Sequence, residues 1–237
     1  MWTDVVDLRD FYATSLGRVA RRMIARRVRQ LWPDLHGLNV LGLGYVTPFL
    51  GVFRGEAERV IAIMPAAQGV IHWPPEEPGL TALGDHTDLP LPDNSIDRAL
   101  IVHALECAER TRPMMREIWR VLADGGRLLV VVPNRRGLWA RFERTPFGHG
   151  RPYSPGQLSR SLRDAVFTPY QSSTALYVPP VRSRMILSSA AAWEELGQRC
   201  FTTFAGVVMV EATKQIYAAP PVSTVSRKPA YVGIAAH

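Results

Sequence analysis

Cysteine is nearly missing from this chain: Cys107 and Cys200 are the only two in 237 residues. They stand far apart with no Cys-x-x-Cys spacing, so neither a disulfide framework nor a zinc site is indicated, and two buried reduced thiols are expected. Lysine is almost as scarce, with Lys214 and Lys228 the only two among 28 cationic residues. No apolar run approaches the roughly 18 residues needed to cross a bilayer. The opening "MWTDVVDLRDFY" carries acids where a secretory leader carries a basic and then an apolar stretch. The expectation is a cytoplasmic chain with no membrane span. No internal repeat is visible, and no metal-ligand spacing or catalytic triad.

What is present is a hydrophobic content of 47 % and a formal charge of +7. The length suits one well-buried domain with appendages. Lys and Arg neutralise phosphates, so the charge raises the question of nucleic acid. The densest cluster is Arg18, Arg21, Arg22, Arg26, Arg27 and Arg29. Leu16, Val19, Met23, Val28 and Leu31 recur between these arginines at helical spacing, which predicts an amphipathic helix with a solvated basic face. A solvated face is preferred there to an RNA or anionic-membrane contact, and a nucleic-acid partner is not expected.

Further along, short apolar runs alternate with helical patterns. Strands are predicted at 38–43, 59–64, 80–84, 97–103 and 127–132, and helices at about 48–55, 66–72 and 112–123. Such alternation predicts βαβ units and a mostly parallel sheet. Gly125 and Gly126 end the third of these helices in a left-handed turn that feeds "RLLVVVP". From about 134 to 158 the composition shifts to Gly, Pro, Arg and aromatics, as in a long functional loop. A helix at 155–165, a strand near 173–178, a helix near 188–199 and a strand at 206–213 complete the reading. The predicted organisation is an N-terminal helical extension (1–37), a main domain (38–217) and a flexible tail (218–237).

The segment "GDHTDLPLPDNSIDRALIVHALECAERTRPMMREIWRVLADGGRLLVVVPN" resembles the centre of small class I S-adenosylmethionine-dependent methyltransferases. About fifty consecutive residues follow the family's order, which is far more specific than a lone glycine motif. The resemblance implies an α/β fold: a Rossmann-like, doubly wound, seven-stranded, mostly parallel sheet with its last strand antiparallel. It also implies S-adenosylmethionine as cofactor at the carboxyl ends of the first strands.

Set against the family's acid-x-Gly-x-Gly-x-Gly, the loop "VLGLGYVTPFL" departs. Gly42 stands at the acid, Gly44 at the first loop glycine, Val46 at the second and Pro48 at the third. Thr47 suits an N-cap and Pro48 the first helical turn, so a strand-turn-helix is expected to survive without the polar anchor for the cofactor's amino group. At the end of the second strand Met64 replaces the acid that accepts from the ribose hydroxyls. The resemblance thus assigns the cofactor to Gly42, Gly44, Tyr45, Met64, Asp85 and His86, with Asp85 facing the adenine amino group. Read without the family, an Asp after a strand caps a turn.

His103, at the end of the fourth strand, is the candidate catalytic base, and a lone His there is otherwise a structural hydrogen-bonding group. Glu106 reads as a cap or ion-pair partner. Methyl transfer asks mainly for alignment and a dry site, because the sulfonium carbon is already electrophilic. "VHALE" stands where amine methylases of nucleic-acid bases carry Asn-Pro-Pro-aromatic, which counts against that substrate. Asn134, His149, Arg151 and Tyr153 are the candidate substrate contacts, an Arg with aromatics suiting a carboxylate or phosphate. Two functions stay open: a methyltransferase with a small-molecule acceptor, and a catalytically degenerate relative that serves as a binding or regulatory partner of a protein.

Overall fold

A computed structural model describes residues 2–215, so the expected tail at 218–237 lies outside the described residues. The chain begins with two helices, α1 (Val5–Ala13) and α2 (Ser15–Leu31). Asp4 caps α1 by accepting from the Val6 N–H, and Thr14 caps α2 by accepting from the Gly17 N–H. Next come β1 (Asn39–Gly44), α3 (Thr47–Leu50), β2 (Arg59–Pro65), β3 (Thr81–Gly84), β4 (Ile96–Val102), α4 (Thr111–Val121) and β5 (Leu122–Pro133). The last elements are α5 (Pro155–Asp164), β6 (Phe167–Ala175), α6 (Arg184–Ser188), α7 (Ala190–Cys200) and β7 (Val207–Lys214).

The strands form one sheet in the order β3-β2-β1-β4-β5-β7-β6. Strands β1 to β5 are parallel, and β7 runs antiparallel between β5 and β6. The seven-stranded, doubly wound fold with an antiparallel last strand is thus as the resemblance implies. The strand period of two sends Val40, Met64, Val102 and Met209 into a core with α1, α2 and α3. Their neighbours Leu41, Ile63, Ile101 and Val208 face a second core with α4 and α5. The N-terminal helices therefore share the core of the main domain.

Several local expectations are corrected. No helix forms at 66–72, where the chain makes a turn and then an irregular connection to β3. Gly69 lies at φ +87°, and Pro74, Pro75 and Pro78 follow, so a helix has neither backbone geometry nor donors to continue. The strand placed near 173–178 runs instead from Phe167 to Ala175. As the edge strand of the sheet it is largely polar and half exposed, so it lacks the apolar run that marks a central strand. The single helix at 188–199 is two, α6 and α7. Thr47 is the first residue of α3 and Val46 its cap, without a side-chain bond. Cys107 is buried, but Cys200 is exposed.

Candidate functional site

The crevice rule places a ligand where strand order reverses, beyond the carboxyl ends of β1, β2 and β4. At that point β1 ends in Gly44, with φ +88°. A Cβ there would lie 2.4 Å from the Val102 carbonyl oxygen and 2.8 Å from the Ala104 methyl, so only glycine lets β1 and the end of β4 approach this closely.

Gly42 serves a different purpose. A Cβ on it would lie 2.2 Å from the Val46 Cγ2 and 2.6 Å from the Leu50 Cδ1, and Val46 is fully buried. Val46 therefore fills with a methyl group the volume that any side chain at position 42 would need. Met64, near the end of β2, is fully buried in the same core cluster as Val5, Leu8 and Tyr12 of α1.

Helix α1 closes the crevice from above. Its Val5, Leu8 and Tyr12 lie on one face at helical spacing and are buried. The Tyr12 ring stacks on Tyr45, with 5.7 Å between centroids and 16° between planes, and meets Phe49 edge-on. Its hydroxyl shares a 2.8 Å hydrogen bond with His103 Nε2. The Val5 N–H donates to the Gln68 carbonyl at 2.8 Å, and the Gln68 side-chain amide donates to the His103 carbonyl at 2.9 Å. Burial raises the Tyr12 hydroxyl well above its ordinary pKa and pushes Tyr45 up to about 12, so both stay protonated donors.

His103 is buried at φ +54°, a left-handed conformation that costs a non-glycine residue. Its Nδ1 lies 3.4 Å from Glu106 Oε1. Glu106 Oε2 and Gln68 Oε1 are buried acceptors without a donor among the described residues. Tyr12, Gln68 and Glu106 thus complete a polar cluster around His103. Sequence reasoning assigned no site role to Tyr12 or Gln68, because a tyrosine on an amphipathic helix and a glutamine in a turn carry no signal of the strand end they will meet.

The other predicted residues are dispersed. Exposed Asp85 uses one oxygen, Oδ1, to accept from the Thr87 N–H and hydroxyl, both at 2.7 Å. This is the turn cap that the residue type alone suggests, and the Thr87 N–H holds the Asp85 pKa below its ordinary value. His86 packs 5.2 Å from the Trp2 ring, and burial lowers its pKa. Asn134 is buried and donates to the Thr203 and Ala205 carbonyls at 2.9 and 2.8 Å, so its amide pins two loops together. Tyr153 is partly buried and bridges to Asn134. His149 and Arg151 are exposed, and the Arg151 N–H donates to the Glu106 carbonyl. In the loop itself Trp139 and Phe147 are buried, Phe147 lying 5.1 Å from the His103 ring, while Phe142 is exposed.

A cavity of about 690 Å³ opens beside the crevice, lined by Arg9, Arg21, Tyr45, Thr47 and Trp73 among others. Met64, Asp85 and His103 do not line it. The residues at the crevice do not fit S-adenosylmethionine in this arrangement. Gly42 and Met64 bring no polar side-chain atom to the crevice, Tyr12 packs on Tyr45 there, and the unpartnered acceptors among the described residues, Glu106 Oε2 and Gln68 Oε1, lie in the buried cluster around His103.

The architecture is nonetheless that of one class of protein, the doubly wound class I methyltransferase fold. Residues 38–130 match the family model described as a methyltransferase domain, so the family read from the sequence is the one that matches, over a span short of half the chain. No curated protein matches the chain. A Thermotoga maritima S-adenosylmethionine-dependent methyltransferase, described as a possible histamine N-methyltransferase, superposes with a TM-score of 0.62 at 19 % identity, covering 89 % of this chain and 96 % of that one. A putative methyltransferase from Haloferax volcanii, solved in complex with the Trm112 methyltransferase activator, gives 0.59 at 16 % identity and covers 89 % and 98 %. The [4+2]-cyclase SpnF gives 0.53 at 21 % identity and covers 84 % and 82 %. Identities this low establish the fold alone, and a fold hosts many chemistries.

Proposed function

We propose that this chain is a methyltransferase-fold protein that acts as a binding or regulatory partner, its cofactor crevice closed by its own N-terminal helix. The observation that carries this reading is the filled crevice. Val46 takes the volume of the missing acid, Met64 is buried where the ribose acceptor would stand, and Tyr12 bridges Tyr45 and His103. An ammonium and two ribose hydroxyls would lose their hydration there with no acid at position 42 or 64 to replace it, which is unfavourable by several kcal/mol in sum. The [4+2]-cyclase on the same fold shows that this architecture also serves work other than methyl transfer, and the Haloferax structure shows the fold seated against a protein partner.

A second reading is favoured by the strained His103 and the two unpartnered acceptors, Glu106 Oε2 and Gln68 Oε1, because strain and unmet hydrogen bonds gather at working sites. In it, α1 is a cover that lifts to admit S-adenosylmethionine and a small acceptor, with His103 as base. Calorimetric titration with S-adenosylmethionine and S-adenosylhomocysteine separates the two. The partner reading expects no binding up to about 1 mM. Micromolar binding that Asp85→Ala weakens would replace it with the methyltransferase reading.

A further inference from the structure

The surface that the partner reading leaves without a ligand is the cap over β5, β7 and β6. Pro133 ends β5 and Ala175 ends β6, and both stand opposite Val207, the first residue of β7. The loop after β5 and the long β6–β7 connection therefore leave the sheet at the same end. They are joined there by the Asn134 bonds to Thr203 and Ala205, and by the Trp139 indole N–H donating to the Val178 carbonyl at 2.8 Å.

This cap exposes large apolar side chains. Met185 is 78 % exposed, Phe201 59 %, Leu196 58 % and Phe204 58 %, and Trp193 on α7 is also exposed. Across the joint, Leu138 and Phe142 are exposed on the β5 loop. The same two segments carry the exposed arginines Arg135, Arg136, Arg141 and Arg184, and Arg144 and Arg182, which share a cleft with Asp7, Asp10 and Glu143. The acids on these two segments are few. Glu194 is buried and accepts from the Leu176 and Tyr177 N–H groups, Glu195 is paired with Arg199 at 2.9 Å, and Glu143 is exposed.

We propose that this cap docks on an anionic phospholipid surface. Single protruding apolar side chains, rather than a lined groove, suit a fluid interface into which each inserts without a shaped counterpart. Arginines around them supply the attraction to anionic headgroups, and the chain's net charge of +7 adds to it. The inference stands whether or not the crevice binds a cofactor.

Vesicle flotation of the full chain tests it, with phosphatidylcholine vesicles and with the same vesicles containing phosphatidylglycerol. Binding is expected only with phosphatidylglycerol, weakening as salt rises. The variant Phe201→Ser with Phe204→Ser, at exposed positions, should weaken binding about ten-fold or more, and Arg135→Gln with Arg136→Gln roughly five-fold per arginine. Failure of the wild type to float with phosphatidylglycerol vesicles at low salt would overturn the proposal, as would equal flotation of both variants. Concentration-dependent self-association abolished by the phenylalanine variant, without flotation, would assign the surface to a second copy of this chain instead.

Discussion

At residue scale the informative pair is Gly42 and Val46. Each alone looks like a defect in a glycine-rich loop, yet in space one supplies the hole and the other the methyl that fills it. Gly42→Ala should cost about 1–3 kcal/mol by overpacking. With Val46→Ala already present the same change should cost clearly less, giving a coupling of roughly 0.5–3 kcal/mol in a urea-denaturation cycle. Strict additivity would mean that the two positions do not share the volume. Gly44 was readable in advance, since a lone glycine between strand and helix signals a turn, and its φ of +88° agrees. That Val46 fills the space beside Gly42 was not, because side-chain volumes meet only once the turn has formed.

At the scale of elements, α1 decides the site. The sequence analysis assigned 1–37 to an extension, whereas three residues on one face of this helix are buried over the ends of β1 and β4. Tyr12→Phe keeps the stack on Tyr45 and loses one hydrogen bond, so it should cost about 1 kcal/mol. Tyr12→Ala removes the ring and should cost about 3–5 kcal/mol. Amide exchange checks whether the loss is local: the Ala variant should speed exchange in α1 and around Gln68 more than in β5. Uniform acceleration across the sheet would show that α1 is not a separable cover. The absence of a helix at 66–72 belongs to this scale too. Gly69 and the three prolines that follow are local signals against a helix, which the α/β alternation around them masks.

For the molecule as a whole, burial of ionisable groups that lack a charged partner predicts sensitivity to alkali. Burial pushes the Cys107 thiol from an ordinary 9.0 up to about 12, and Tyr45 from 10.0 up to about 12. Between pH about 9 and 12 the unfolded chain releases protons that the native chain keeps, so stability must fall as pH rises, by at most about 1.4 kcal/mol per pH unit for each group. Urea denaturation across this range should show that decline, and Cys107→Ala should delay its onset to near pH 10. A flat profile would contradict the burial. The sequence by itself determined the fold class, because the alternation of strand and helix periods and the run from Gly84 to Asn134 depend on local pattern. Set against the family it resembles, it also has Gly42 and Met64 where that pattern carries acids. Only the tertiary structure decided what became of the space they left. Tyr12 and His103 are ninety-one positions apart, and their contact depends on how α1 closes over the sheet, which no local periodicity encodes.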